Sequence, residues 1–260
     1  MSPPLQPARI AQLLTPFLAP SSQPGEPSAV LSSAQLGQIS TYIDLLLRWN
    51  ARINLTAIRT PEEIVTRHFG ESFFAAIHLL PKIDPATSSA PPVSSVFASV
   101  TSVVKDFDSP NAPSRTLRQG SSLRAADLGS GAGFPGIPLK LWAPEIHMTL
   151  IESNQKKSFF LRETVRSLNL DNIEIASVRA ESLPHAYDLV TLRAVERFSQ
   201  ALPTAARLTR PAGRLALLIA SSQMEEAHTA LPEFSWQNAI AIPNSESRIL
   251  LVCRRDESRK

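Results

Sequence analysis

The spacing of apolar residues predicts two amphipathic helices in the first third of the chain. From Ser33 onward, apolar side chains recur three or four residues apart, which is the spacing of one buried helical face. A second helix is predicted to begin after Thr60, whose side chain can cap it, with Pro61 at the first helical position and Glu63 completing a capping box. Together they predict an N-terminal helical unit over residues 31–83.

The second half of the chain alternates between strand-like and helix-like runs, and this is typical of a parallel sheet with helices on both faces. Two last strand-like runs flank Pro243-Asn244-Ser245-Glu246, a turn sequence that predicts a hairpin. The pattern predicts an α/β domain over residues 123–255, with five parallel strands closed by an antiparallel hairpin. The predicted strands are 123–128, 147–152, 173–177, 187–192, 213–220, 235–242 and 248–254, and the predicted helices are 138–142, 155–168, 199–208 and 224–231.

Two segments show neither pattern. Residues 1–30 are rich in Pro, Ser and Gln and contain one short apolar patch, so we expect a flexible arm. Residues 84–122 are dominated by Ser, Pro, Ala and Thr. Because a structureless loop of that length is unusual inside a compact domain, we expect a disordered insertion between the helical unit and the α/β domain.

Composition narrows the class of protein. The 260 residues can bury one sizeable core, and the 43% hydrophobic and 19% charged residues are ordinary for a globular protein. The net charge of +3 permits a nucleic-acid partner without requiring one. A single cysteine, Cys253, excludes an intramolecular disulfide, and the scattered histidines predict no metal site. Apolar runs are shorter than the ~20 residues of a membrane span, and no signal-peptide pattern occurs, so we expect a cytoplasmic protein.

A glycine-rich turn, Asp127–Gly136, follows the first predicted strand. Read from Gly131 it spells G-x-G-x-x-G, the dinucleotide fingerprint. Read from Asp127 it spells D-x-G-x-G-x-G, the turn that methyltransferases wrap around S-adenosylmethionine. Glycine at positions 129, 131 and 133 lets the main chain come close to a ligand in either case.

Residues near this turn favour S-adenosylmethionine over NAD. A pyrophosphate needs N–H donors from the turn and the next helix, and Pro135 and Pro138 have none. Asp127 can attract the ammonium of an amino-acid tail. Glu152, at the end of the second strand, can accept hydrogen bonds from the ribose hydroxyls of either cofactor. Ala180-Glu181 follows the third strand, where an adenine would lie. A dehydrogenase remains the alternative at this point.

Several motifs occur in order between residues 33 and 254, namely Arg48-Trp49-Asn50, Asn54-Leu55-Thr56, Arg67-His68, Asp127–Leu139 and Leu192-Arg193-Ala194. Together they resemble the RsmG (GidB) family, bacterial enzymes that methylate N7 of one guanine in 16S ribosomal RNA. The resemblance implies a class I S-adenosylmethionine-dependent methyltransferase fold, a Rossmann-like seven-stranded sheet with a C-terminal antiparallel hairpin plus the N-terminal helical unit. It also implies 16S rRNA or the 30S subunit as the partner.

The resemblance implies cofactor contacts at Gly129, Phe134, Ala180, Glu181 and Arg193, and the argument from the turn adds Gly131, Gly133 and Glu152. For Arg193 two roles stay open, a contact with the methionine carboxylate of the cofactor or with the RNA. The chain departs from the family pattern at Glu71, where the family has Asp, at Ile219-Ala220-Ser221-Ser222, where the family tends to carry Leu-Lys-Gly, and in the 84–122 insertion.

Guanine N7 has an unprotonated lone pair at neutral pH, so its methylation needs alignment rather than a general base. We therefore nominate no catalytic acid or base. Arg67, His68 and Arg197 are the candidate RNA contacts, within a set of basic residues that could form a platform for phosphates or be ordinary solvated charges. The alternatives are a methyltransferase of the same fold acting on another RNA or a small molecule, and a non-catalytic cofactor-binding ribosome assembly factor.

Overall fold

The computed structural model describes residues 5–18, 30–80, 122–184, 187–193 and 198–257, and within them a mixed eight-stranded sheet forms the centre. These described residues belong to one compact unit. The predicted insertion over 84–122, apart from its last residue, and the candidate Arg197 lie outside the described residues.

The sheet has the strand order β3-β2-β1-β4-β5-β8-β6, and β7 also pairs with β8. Neighbours among β1 to β5 are parallel, whereas β8 is antiparallel to β5, β6 and β7. Five parallel strands closed by an antiparallel hairpin are therefore confirmed. The strands are β1 (Arg124–Leu128), β2 (His147–Ile151), β3 (Ile173–Ala176), β4 (Tyr187–Arg193), β5 (Thr209–Ala220), β6 (Phe234–Trp236), β7 (Ile240–Ala241) and β8 (Arg248–Arg255).

The strand predicted over 235–242 is split into β6 and β7. Trp236 pairs with Cys253 and Ile240 with Leu250, so four steps along one strand match three along the other. One extra residue therefore lies in the edge strand, as in a β-bulge, and interrupts its ladder.

Helices α5 (Gly136–Trp142), α6 (Gln155–Ser167), α7 (Phe198–Leu208) and α8 (Met224–Ala230) follow the predicted spans closely. The N-terminal region differs from the prediction. Residues Pro7–Leu18 form a helix, α1, with Ile10, Leu14, Phe17 and Leu18 buried. The ring of Phe17 fills the space beside Gly70 that a Cβ would need. The expectation of a flexible arm over 1–30 is therefore wrong for residues 7–18. The short apolar face of this segment packs against a helical segment some fifty residues later, which the local sequence does not show.

Helix α2 spans Ser33–Asn50 as predicted, and a longer helical segment follows in three parts. It begins as α3 (Pro61–Glu63), becomes a π-helical turn over Ile64–Gly70, and continues as α4 (Glu71–Leu79). The Thr60 side chain accepts a hydrogen bond from the Glu63 N–H at 3.4 Å, but its hydroxyl donates to the Glu63 carboxylate, so the capping box differs from the predicted form. The periodicity predicted a regular helix. The π-helical turn, a feature often found at functional sites, was not predicted.

The helical unit and the sheet share one core. Side chains of α1, α2 and α4 pack with those of α5, α6 and one face of the sheet, while α7 and α8 cover the other face. The N-terminal helices are consequently part of the layer that supports the turn after β1. None of the described helices is long and apolar enough to cross a membrane.

Candidate functional site

The strand order reverses at β1, which has β2 on one side and β4 on the other. In open α/β sheets, ligands bind outside the carboxyl ends of the strands at such a point. The glycine turn follows β1 here, Glu152 follows β2, and Arg193 ends β4. The topology therefore brings these three predicted elements to one edge of the sheet.

The turn glycines have φ angles of +70° at Gly129, +54° at Gly131 and +87° at Gly133, a region that side chains disfavour. The surroundings of Gly131 and Gly133 show that glycine is needed at the two positions for different reasons. A Cβ added to Gly131 would meet nothing nearer than the Gly129 carbonyl oxygen, at 3.7 Å. A Cβ on Gly133 would overlap the Tyr42 hydroxyl and the Ile137 side chain. Gly131 thus faces open space, whereas glycine is required at position 133 by packing, and the cofactor contact expected at Gly133 stays a prediction for its main chain.

Asp127 anchors the turn from inside. The side chain is buried, its Oδ1 accepts from the Thr191 hydroxyl at 2.8 Å, and its Oδ2 accepts from the Gly136 N–H at 3.2 Å. Burial raises the pKa of this carboxyl to about 6, although the hydrogen bonds oppose the shift. The side chain is only 1% exposed, so the geometry does not favour a direct contact between Asp127 and a ligand ammonium.

Glu152 is held in one orientation by main-chain donors. Its Oε2 accepts from the Gly131 N–H at 2.9 Å and its Oε1 accepts from the Asn154 N–H at 2.7 Å. Each carboxylate oxygen has a second lone pair, so the group can still accept from two hydroxyls. A contact between Gly131 and Glu152 places the open side of the turn next to an oriented carboxylate.

Aromatic rings support the turn from behind. The Phe134 ring lies parallel to that of Tyr42, with centroids 5.2 Å apart, and is stacked on His68 at 4.7 Å. The edge of Phe69 meets the same ring at 5.0 Å. The Tyr42 hydroxyl also donates to the Ala132 carbonyl. Since the Phe134 side chain is buried in this cluster, a cofactor contact at this position can come only from its main chain.

His68 lies in the interior with both ring nitrogens bonded. Arginine only donates, so the 3.0 Å contact from Arg193 Nη1 makes Nδ1 the acceptor. Nε2 then carries the hydrogen and donates to Thr56 Oγ1 at 2.8 Å. Burial, followed by the charges of the surrounding arginines, lowers the pKa of His68 to about 2. This neutral, fully bonded imidazole argues against the expected direct contact with RNA.

Arg193 joins the end of β4 to the π-helical turn. Its Nε and Nη2 donate to Glu71 Oε2 at 3.3 and 3.0 Å, and Nη2 also donates to the Arg67 carbonyl at 2.6 Å. With the bond to His68, four of its five N–H donors have protein partners. Arg248 Nη2 reaches the same Glu71 oxygen at 3.1 Å. Two largely buried guanidiniums therefore share one carboxylate, and one N–H of Arg193 has no partner among the described residues.

The other candidates stand apart from this contact network. Ala180 and Glu181 follow β3 at the same edge, but their described contacts run to α7: the Ala180 carbonyl accepts from Arg207 at 2.7 Å, and the Glu181 carboxylate from Thr204 at 3.4 Å. The Arg67 side chain is exposed, as an RNA contact requires. Within the described ranges, no group of three or more His, Cys, Asp or Glu side chains could hold a metal ion.

Reasoning from the sequence assigned no role to five residues that build the site through distant or internal contacts, although two of them, Asn50 and Thr56, lie in the motifs that carry the resemblance. Asn50 is the one with a readable signal, a polar residue at the buried end of α2. Its amide accepts from the N–H groups of Leu55 and Thr56, which positions Thr56 beneath His68. The missed residues are Tyr42, Asn50, Thr56, Thr191 and Arg248.

Comparison with known proteins matches most of the chain. The family model described as GidB, rRNA small subunit methyltransferase G, matches residues 35–85 and 111–247. A ribosomal RNA small subunit methyltransferase G of Xanthomonas euvesicatoria is 33% identical over 249 residues, covering 93% of this chain and 97% of the relative. That of Stenotrophomonas maltophilia is 35% identical over 200 residues, covering 76% and 75%.

Among solved structures, a SAM dependent methyltransferase from Aquifex aeolicus is 16% identical with a TM-score of 0.43, covering 51% of this chain and 81% of that one. Family membership rests on the sequence relationships, which extend over both the helical unit and the sheet. The chain belongs to the rRNA small subunit methyltransferase G (GidB) family.

Proposed function

We propose that the protein transfers a methyl group from S-adenosylmethionine to N7 of a guanine in 16S ribosomal RNA. Family membership supports the reaction and the RNA substrate. The observation that carries the proposal is the pairing of an open glycine turn with an oriented carboxylate, the Gly131 N–H bonded to Glu152 at 2.9 Å. Because the substrate is ribosomal RNA, we place the protein in the cytoplasm and its action on the 30S subunit or its RNA.

The residues at the edge of the sheet fit this cofactor. A Cβ at Gly131 would occupy open space, so the glycine leaves room for a ligand against the main chain. Glu152 keeps lone pairs for the ribose hydroxyls, and Ala180 and Glu181 follow β3 on the side of the adenine. The remaining N–H donor of Arg193 is available to a carboxylate. Gly129 and Phe134 would contribute main-chain contacts.

The start of α5 favours this cofactor over NAD. A pyrophosphate would need free N–H groups there. The Gly136 N–H donates to Asp127, the Ile137 N–H donates to the Gly133 carbonyl, and Pro135 and Pro138 have no N–H. Since the fold uses these donors itself, the turn is suited to a cofactor without phosphates.

Methyl transfer to N7 requires the protein chiefly to align the cofactor with the guanine. Bound S-adenosylmethionine supplies an electrophilic methyl group on a sulfonium. The guanine N7 lone pair is free at neutral pH, so no side chain needs to remove a proton. His68 is unsuited to that task in any case, because its two nitrogens are bonded within the protein. The aromatic wall of Tyr42, Phe69 and Phe134 keeps the turn rigid and dry, and positioning of this kind can contribute several kcal/mol.

Arg67 is the RNA contact that the geometry supports best. Its side chain is exposed on the π-helical turn, while its carbonyl is bound by Arg193 at the end of β4. A phosphate held by Arg67 would therefore lie close to the edge of the sheet where the cofactor contacts are proposed. The contact at Arg197 stays a prediction.

Methylation of 30S subunits and of protein-free 16S RNA with labelled S-adenosylmethionine tests the proposal, followed by mapping of the labelled base. We expect label at a single guanine N7. Glu152→Gln should lose most of this activity, while Glu174→Gln, which changes a carboxylate bonded to Thr149 within the sheet, should keep it. Binding of S-adenosylhomocysteine without transfer to either RNA would replace this proposal with the non-catalytic assembly factor.

A further inference from the structure

Helix α6 presents an exposed aromatic ring near the proposed cofactor site. Only three large apolar side chains are exposed among the described residues, Val30, Phe159 and Val178. Phe159 is the only aromatic of the three, with 58% of its surface accessible. It lies in the second turn of a helix that begins three residues after Glu152. The ring is thus displayed to solvent at the edge of the sheet where methyl transfer is proposed.

Arg162 connects this ring to the loop after β3. Its guanidinium lies 5.5 Å from the centroid of the Phe159 ring, and its Nη2 donates to the Ser177 hydroxyl. Val178, 43% exposed, is the next residue along that loop. Phe159 and Arg162 form an exposed surface with Val178 on the neighbouring loop, and we term these three residues the α6 patch.

The charge around the α6 patch is strongly positive. Helix α6 carries Lys156, Lys157, Arg162 and Arg166 against the single carboxylate of Glu163, a net charge of +3 on 13 residues. Glu163 itself accepts a hydrogen bond from the Trp49 indole at 3.0 Å. The two lysines occupy the first turn, where the helix dipole favours carboxylates instead. Their position opposes local helix stability and adds to a positive field at the edge of the sheet.

An exposed ring beside several cations matches the chemistry of unpaired RNA. Bases that are splayed from a loop stack on aromatic side chains and arginine planes, while lysine and arginine bind the phosphates between them. A purely apolar partner would leave the cations of α6 desolvated and unpaired, which is costly. Charge complementarity therefore favours RNA over an apolar protein surface.

We propose that the α6 patch binds an unpaired segment of the substrate RNA, with one base stacked on Phe159 and Arg162 and with phosphates bound by Lys156 and its neighbours. The inference rests on the proposed function for the identity of the RNA. It adds a docking surface outside the cofactor site and assigns Phe159 as a residue that positions the substrate.

Affinity for 16S rRNA, measured by electrophoretic mobility shift with the full chain, tests the inference independently of catalysis. Phe159→Leu keeps an apolar side chain but removes the π face, and we expect it to weaken binding roughly tenfold. Phe159→Tyr and Phe159→Trp should bind like the wild type. Val30→Ala, at the large apolar side chain that is most exposed within the described ranges, is the matched control and should leave the affinity unchanged. Methyl transfer should follow the same order, through KM rather than kcat.

Charge variants give a second readout. Lys156→Gln should lower the slope of log Kd against log salt concentration by about one unit, and Arg9→Gln on α1 should leave it unchanged. Wild-type affinity in Phe159→Leu would overturn the inference even if methylation proceeds. Conversely, weaker binding in that variant without any methylation by the wild type would overturn only the proposed function. A dimer of the wild type that dissociates in Phe159→Leu would assign the patch to a second copy of the chain and also overturn it.

Discussion

Replacing Glu71 by Gln should destabilise the protein more than any surface charge substitution. The Glu71 side chain is only 5% exposed, and one of its oxygens accepts from both Arg193 and Arg248. The substitution removes the negative charge but keeps the shape of the side chain. Its effect therefore measures how much the fold depends on this shared ion pair.

The expected loss of stability follows from the two arginines that remain in the Glu71→Gln variant. Arg193 and Arg248, with side chains 9% and 19% exposed, would stay charged without a carboxylate. Removing one partner of a buried ion pair costs about 3–5 kcal/mol. Two unpaired cations push the loss upward, while the amide oxygen of Gln can still accept one hydrogen bond, so we expect about 3–4 kcal/mol. For a domain of this size that corresponds to a decrease in Tm of roughly 6–16 °C.

Urea unfolding followed by circular dichroism gives the free energy of unfolding directly. Arg210→Gln is the control, because Arg210 is 56% exposed in its pair with Asp188 and should lose at most about 1 kcal/mol. Glu71→Asp keeps the charge on a shorter side chain and should lie between the two. A Glu71→Gln variant as stable as Arg210→Gln would refute the reasoning, since the two arginines would then be neutralised or hydrated by something else.

Four further predictions concern the site and the core. Gly131→Val should abolish the binding of S-adenosylhomocysteine in calorimetry while the protein stays folded, and unchanged affinity would reject the proposed cofactor contact. Gly133→Ala should lower the free energy of unfolding by about 2–5 kcal/mol, because its side chain would be strained at positive φ and would overlap with Tyr42. Because the pKa of His68 is lowered in the folded state, its contribution to stability is fully present above pH 6.5 and is lost as the pH falls towards 2. In chemical denaturation, the free energy of unfolding of the wild type should fall by up to about 1.4 kcal/mol per pH unit relative to that of His68→Gln. Parallel pH profiles of the two proteins would contradict this prediction. Burial raises the pKa of the Cys253 thiol to about 12, so Ellman's reagent at pH 8 should label it only in denaturant, and fast labelling of the native protein would show that β8 opens.

The candidate site could be predicted where its signal is local. Gly129 and Gly131 adopt positive φ in a glycine-rich turn, and Glu152 directly follows the strand that comes next along the chain. The role of Gly133 could not be predicted in the same way. The reason for glycine there is the hydroxyl of Tyr42, a residue about ninety positions earlier in the chain.

The polar candidates show the same limit. Arg193 is bound to Glu71 and His68, more than a hundred residues away, and these contacts link the end of β4 to the π-helical turn. His68 is exposed or buried depending on whether the helical unit packs against the turn, and the sequence of its own helix is compatible with both. Whether a side chain is buried or paired depends on both of the surfaces that pack together, and the sequence of one segment describes only one of them.

The sequence by itself determined the strands, most of the helices, the glycine turn and the family, because these depend on periodicity, main-chain preference and motifs that are contiguous in the chain. Tertiary structure decided that α1 packs into the core and that a π-helical turn carries His68 inward. It also decided that the carboxylates of Asp127 and Glu71 are buried and bonded to other parts of the fold. The physical reason is that a carboxylate or an imidazole has several possible partners, and only the packing of distant elements selects among them.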